Sequence, residues 1–447
     1  MSKQAKYGLT DMPPVKEAVA LSLQHVILFI AATVAVPLIV GGAIGFDKMG
    51  ITFLLQCSLF TAGIGTMIQS FGVGPVGNRL PIIMGATFIF VGPCIALSNE
   101  YGYASFLGAS LVCGLIVGFV GPASIKVLRK IFPTFITGAT VAVIGISLMV
   151  VGIKYSAGGV GSPTYGQWQN YALAGLTLVV IIIFNRFGKG FFKAASVLMG
   201  MLFSFIIATA LGMVDFSSVA NASWVSIPQP FKYGLEFKLT PILIVGICYI
   251  VAVVEFIGDT TGCAMMAANR QPTQEEYSKG ISCDGFSSAI AAMFNFIPAV
   301  SYSGNIGLIG VTGVASRYVV GIAGIFITVL GLVPKLSAIL TLIPTSIIGG
   351  ATIVIFGMIA TTGIKIINEG DLNERNTLIL AISLAVGLGF KFTPGALEAY
   401  PFYVAVLLEG IPGTAITGAI LNLILPKQKE KSVTEVEDAK VSVNVAE

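Results

Sequence analysis

Glu255 and Asp259 stand one helical turn apart in a stretch whose other residues belong in lipid. The run 241–254 (PILIVGICYIVAVV) holds no charge, and the chain then reads Glu255-Phe-Ile-Gly-Asp259-Thr-Thr-Gly. Carboxylates at i and i+4 share a helix face. An ionisable side chain in a membrane span is costly, so it usually faces a cavity, an ion path or a ligand. Solvation of Asp259 near a membrane surface is the plainer alternative, and it fits Glu255 less well. Desolvation disfavours a charged carboxyl; a protonated Glu255 can both donate and accept a hydrogen bond and can carry a transferable proton. His25 is the only histidine. Its type alone leaves open whether it packs or relays protons.

These groups do not add up to an enzyme. One histidine excludes an H-E-x-x-H metal motif, Phe256 stands where G-x-G-D would need its first glycine, and no G-x-S-x-G turn occurs. An ion channel would want rings of like residues instead of buried acids. The six cysteines are scattered singly with no C-x-x-C pair, so no zinc site or disulfide framework is expected. No cofactor or metal is implied.

The elements that must hold the acids are membrane helices. Of 447 residues, 55% are hydrophobic and 10% charged, whereas a soluble chain carries about a quarter charged residues. Apolar segments are expected near 18–41, 51–71, 81–97, 103–124, 134–153, 171–186 and 194–213. A second set falls near 240–262, 281–297, 304–319, 320–340, 344–362, 376–391 and 411–425. The stretch 394–409 reads as re-entrant or interfacial. With both termini cytoplasmic, only Lys48, Lys154, Lys232, Lys238, Lys335 and Lys391 of the 25 Lys and Arg fall outside, as the positive-inside rule requires. Residues 1–17 form a cytoplasmic N-terminus with no cleavage site, and the polar tail 427–447 is expected to be disordered and cytoplasmic. The net charge of +4 comes from loop positions beside the membrane and needs no nucleic-acid partner.

An internal repeat orders these segments. Pro133-Thr134, Ile136, Gly138, Val143-Ile144 and Gly152-Ile153 match Pro344-Thr345, Ile347, Gly349, Val354-Ile355 and Gly363-Ile364. Copies in spans five and twelve make repeats of seven spans, an odd number, so the halves have opposite orientation. Corresponding segments three and ten are both interrupted by Gly and Pro: Gly72, Gly74, Pro75, Gly77 and Pro81 precede one, and Pro298, Gly304, Gly307, Gly310 and Gly313 mark the other. Such pairs point to a midplane site where half-helix N-termini aim at a ligand.

The residues resemble a family, the nucleobase–ascorbate transporters (nucleobase:cation symporter-2, or uracil/xanthine permeases). The likeness rests on Gln24-His25, Gly85-Ala-Thr87-Phe88, Glu255 with Asp259, Asp284, and a signature N-x-G-x-x-x-x-T running from Asn305 through Gly307 to Thr312. It covers nearly everything from Ala18 to Pro426. The resemblance implies an all-α protein of fourteen spans in two inverted repeats, with short strands in segments three and ten. A core domain (18–131 and 239–340, spans 1–4 and 8–11) would move against a gate domain (132–238 and 341–426, spans 5–7 and 12–14). It implies substrate contacts from Glu255, Thr87, Phe88, Ser303, Gly304 and Asn305, with Asp259, Asp284, His25, Gln24 and Thr312 supporting the site or its proton coupling.

Gly304 departs from the pattern, since uracil carriers resemble Glu and xanthine carriers Gln there. Either the backbone and a neighbour such as Ser303 compensate, or the base is bulkier or differently substituted. Asp259 and Asp284, with the 312–317 run TGVASR, resemble the xanthine/urate branch. The expectation is import of a purine, xanthine or urate first, by proton symport across the cytoplasmic membrane, with a homodimer possible. Uracil or another base, sodium coupling through Thr260-Thr261, and more remotely an anion exchanger of similar architecture remain alternatives.

Overall fold

The computed structural model describes residues 6–426, so the expected disordered tail 427–447 lies outside the described residues. Within them, eight helices are long and apolar enough to cross a membrane, and two bent pairs raise the number to ten. Four expected segments fail that test for physical reasons. Segments three and ten are broken by short strands, Ser196–Ala210 is short, and Gln274–Met293 carries Glu275, Glu276, Lys279 and Asp284.

Several boundaries differ from expectation. The ninth segment, expected at 281–297, begins at Gln274 and ends at Met293. Its start is fixed by a capping box in which Thr273 accepts from Glu276 N and Glu276 accepts from Thr273 N. The expected segments 304–319 and 320–340 are divided earlier, because Gly313 adopts φ 69° and closes the helix Gly304–Thr312. Arg317–Gly331 then bends by 83° into Pro334–Thr341. The first span breaks at Val34, three residues before Pro37, whose ring and missing N–H disrupt the preceding turn. The 394–409 stretch ends in a short helix, Phe402–Leu408, bent by 73° from Gly410–Ile424.

Strand β1 (Met84–Ala86) pairs antiparallel with β2 (Ala299–Ser301), in the register Met84↔Ser301, Gly85↔Val300 and Ala86↔Ala299. Around this ladder the helices pair reciprocally between the two halves of the chain. Lys48–Phe71 packs on Arg317–Gly331, Gln274–Met293 on Tyr103–Ile131, and Thr134–Ser156 on Thr345–Asn368. Close approach depends on glycine. A Cβ at Gly363 would stand 2.2 Å from Ala142 N, and one at Gly145 would stand 2.4 Å from Ala360 N.

Two extramembrane segments are laced onto this frame. The N-terminal Lys6–Asp11 strap donates from Lys6 N to Gly313 O (2.7 Å), while Ala315 N donates to Tyr7 O and Arg317 N to Leu9 O. Beside it, Glu17 accepts from Lys6 and from the Tyr7 hydroxyl, which hold its carboxyl below the usual range. At the other end, Phe231 N donates to Met293 O, Asn295 bonds Gln229 O and Tyr233 N, and Ser105 donates to Glu236.

Candidate functional site

The ladder sets two half-helices end to end. Because β1 and β2 run antiparallel, the helical turns that follow them (Phe88–Tyr101 and Gly304–Thr312) leave from opposite ends of the pair. Their N-termini, with N–H groups that lack intrahelical partners, therefore converge on one short stretch of backbone. Gly85 is required there, since a Cβ would meet Phe29 Cε2 at 2.6 Å. Thr87 caps the first turn by accepting from Ile89 N at 3.3 Å.

The long helix Leu239–Ala268 passes this point. Its first half is apolar, with one face buried through Ile244, Val245, Cys248 and Tyr249, so the acids enter the membrane on a helix already fixed by packing. Asp259 accepts from Ser301 Oγ at 2.7 Å, which ties the helix to β2, and also faces Ser303. Glu255 is half-buried, and its Oε2 has no hydrogen-bond partner among the described residues. Asp284, on Gln274–Met293, is 2% exposed with both carboxyl oxygens unpartnered among them. All three acids are mutual neighbours. A buried carboxyl without a partner is unfavourable by about 1–3 kcal/mol or more. Two such acids beside the Ser301-bonded Asp259 make a polar centre in an apolar bundle.

Asn305 joins three elements. Its Nδ2 donates to Pro81 O at 2.8 Å, so its Oδ1 turns to His25 Nδ1. A carbonyl can only accept, which assigns the amide's orientation and makes His25 Nδ1–H the donor. His25 is 2% exposed, so it is a bonded, buried group of the first span. Gln24 is half-buried beside it and joins none of these bonds. Phe88 packs edge-on against Phe356 of the Thr345–Asn368 helix, with centroids 5.2 Å apart.

The expected site residues Glu255, Asp259, Asp284, Thr87, Phe88, Ser303, Gly304, Asn305 and His25 thus gather around the ladder. Thr312 does not. It ends the half-helix, about 12 Å from Gly304 at 1.5 Å per residue, donating to Leu308 O and accepting from Val314 N. Residues that sequence reasoning passed over are Ser301, Tyr302, Phe29 and Phe356. Phe356 lies in the repeat copy 343–364, which is the one signal that could have drawn attention to it. Among the described residues no His, Cys, Asp and Glu cluster is arranged to hold a metal ion.

Residues 16–395 match the model of the Permease family. The chain belongs to the nucleobase–ascorbate transporter family. The permease is 35% identical over 411 residues to the xanthine permease of Bacillus subtilis, covering 91% of this chain and 93% of that protein. It is 36% identical over 439 residues to the xanthine permease XanQ of Escherichia coli (94% and 93% covered), and 34% identical over 422 residues to the uric acid permease PucJ of Bacillus subtilis (93% and 94%). In fold it is similar to the transmembrane domain of a cyanobacterial bicarbonate transporter, BicA, with a TM-score of 0.54, 14% identity, and 93% and 99% of the two chains covered. The murine anion transporter Slc26a9, in the inward-facing state, gives a TM-score of 0.63 at 11% identity, covering 94% and 69%. The permease is an integral multi-pass membrane protein and not an enzyme.

Proposed function

We propose that this permease imports a purine nucleobase, xanthine or urate, by proton symport across the cytoplasmic membrane with both termini inside. The observation that carries the reading is Glu255, half-buried with an unpartnered oxygen beside Asp259 and Asp284, on a helix that packs against both half-helices. A flat base edged with N–H and C=O groups needs acceptors for the first and donors for the second. The carboxyl of Glu255 accepts from a ring N–H, the helix N-termini donate to carbonyl oxygens, and Phe88 supplies an apolar wall. Relatives named for xanthine and uric acid support the purine.

The reciprocal helix pairing supports two inverted seven-span repeats. Segment two meets eleven, four meets nine, five meets twelve and three meets ten, as exchange of the halves requires. The acids, the ladder and His25 lie on the core-domain elements, whereas Phe356 lies on the gate. The lacing of residues 226–236 onto Leu332, Met293, Asn295 and Ser105 supports a hinge before Ser226, with that end of the expected gate stretch (132–238) riding on the core.

Proton coupling is favoured by the fate of the sodium candidate. Thr261 Oγ1 donates to Ile257 O and meets the Tyr277 hydroxyl at 2.6 Å, which turns it away from Asp259. That removes Thr261 from the oxygens available to a hard cation beside Asp259. The test is uptake of radiolabelled xanthine, urate, uracil and guanine in a transport-deficient host. Xanthine or urate should accumulate, uptake should rise as external pH falls, collapse with a protonophore and ignore replacement of sodium by choline. Strict sodium dependence at fixed pH overturns the coupling, and accumulation of uracil alone overturns the substrate.

A further inference from the structure

Gly304 is exposed and opens its half-helix, yet the space above its Cα is filled. A Cβ at this position would stand 2.4 Å from Tyr302 Oη, 2.5 Å from Cζ and 2.8 Å from Cε1. The phenol of Tyr302 therefore lies where a side chain at 304 would go. It is held there at its base. Tyr302 N donates to Ile83 O (2.8 Å), extending the ladder by one residue, and Tyr302 O accepts from Asn305 N (3.3 Å). Its ring meets Phe29 edge-on, with centroids 5.7 Å apart, and Phe29 is wholly buried against Gly85. The hydroxyl is the unengaged tip, making no hydrogen bond with any described residue, although a phenol in a largely apolar setting ordinarily finds a partner.

The surroundings say which partner fits. The acids Glu255, Asp259 and Asp284 cover the acceptor role in this site, while the half-helix N-terminus beside Tyr302 carries partial positive charge. An amino group brought to that N-terminus would be repelled, and a carbonyl oxygen would be attracted. A hydroxyl next to it completes the set as a donor.

We propose that the Tyr302 hydroxyl is the specificity-determining group at this edge of the site, replacing the side chain that Gly304 lacks and donating to an exocyclic oxygen of an oxopurine. The proposal rests on the purine-carrier reading above. One hydroxyl reads one oxygen, where an amide side chain could pair with two adjacent groups. The permease therefore selects at this edge for a single carbonyl.

Tyr302→Phe removes the oxygen and keeps the ring on Phe29. Competition against uptake of the labelled substrate, with xanthine, urate, hypoxanthine and adenine as inhibitors, reads the effect. Inhibition constants of the oxopurines should rise about tenfold, as expected for a lost hydrogen bond that leaves a buried acceptor unpaired. That for adenine should stay unchanged, and the amount of protein in the membrane should match the parent. Gly304→Ala, whose methyl must push the ring aside, should shift the profile in the same direction without touching Tyr302. A parent that accumulates base and a Tyr302→Phe variant with the parent's inhibition profile would overturn the proposal alone. A parent that accumulates none of these bases overturns the carrier reading and the proposal with it.

Discussion

Segments three and ten pair through one ladder yet are built oppositely. After β1 the chain turns through Phe88-Ile-Phe90, with Phe90 against Tyr249 and Phe88 against Phe356, and the next helix opens on buried Val91, Pro93 and Cys94. After β2 it runs through Tyr302-Ser303-Gly304 and leaves Ser303, Gly304, Gly307 and Gly310 exposed along one face. On the long helix, Gly258 is exposed beside half-buried Glu255 and Gly262, with no atom within 4 Å of a Cβ at Gly258. One half-helix supplies a packed wall. The other leaves polar groups and a row of glycines exposed, where a crevice leading from the acids toward the Asn269 end of the bundle is expected. Alternating access needs such asymmetry, because a site open equally on both sides would leak.

The largest effect should come from Glu255, the unpartnered acid on the helix that packs against both half-helices. Glu255→Gln is expected to abolish concentrative uptake while the protein still reaches the membrane, since the change replaces one carboxyl oxygen by an NH2 donor and removes the proton site. Near-normal accumulation by that variant would show that the polar centre lies elsewhere.

The asymmetry itself is checked by cysteine labelling. All six native cysteines are buried, so background modification should be low. Gly307→Cys should react rapidly with a membrane-impermeant thiol reagent applied from the cytoplasmic side of inverted vesicles, block uptake almost completely and be protected by substrate. Cysteine at Ile89, in the buried turn after β1, should react at least tenfold more slowly. Equal rates at the two positions would mean that the crevice is not one-sided.

A smaller loss is expected from Asn305→Ala. It leaves Pro81 O and the His25 N–H without partners, each unfavourable by about 1–3 kcal/mol. Segment ten would then lose its tie to both the first span and segment three, and uptake should fall roughly tenfold or more. Kinetics matching the parent would show that the ladder alone holds the half-helix.

Much of this comparison was legible in residue types. Two acids one turn apart in an uncharged run, and Gly/Pro interruptions at corresponding places in two halves, follow from the physics of burial in lipid. The start of Gln274–Met293 was also readable, since Thr273 and Glu276 stand at capping-box spacing, but their polarity hides the helix from a hydropathy reading. What was not legible depends on contacts between distant residues. His25 alone does not announce Asn305, 280 positions away. Phe88 does not announce Phe356. The absence of a side chain at Gly304 suggested a vacancy or compensation by Ser303, whereas the fold turns the Tyr302 ring over it; ring direction is set by Phe29 and the ladder, not by neighbours in sequence.

The smallest effect separates the two ends of segment ten. Thr312 belongs to the same signature as Asn305, so by sequence alone the two positions carry equal weight. In the fold Thr312 bonds only within its own turn, donating to Leu308 O at 2.8 Å and accepting from Val314 N at 3.3 Å. The turn it closes is held independently. Gly313 adopts the left-handed conformation unaided, and the strap clamps it through Lys6 N to Gly313 O and Ala315 N to Tyr7 O. Removing one half-buried hydroxyl that bonds only within such a turn should cost under about 1 kcal/mol. Thr312→Ala is therefore expected to keep uptake within about twofold of the parent and to leave its pH dependence unmoved. A loss as deep as that of Asn305→Ala, or an altered pH profile, would place the Thr312 end of the half-helix in the coupling path after all.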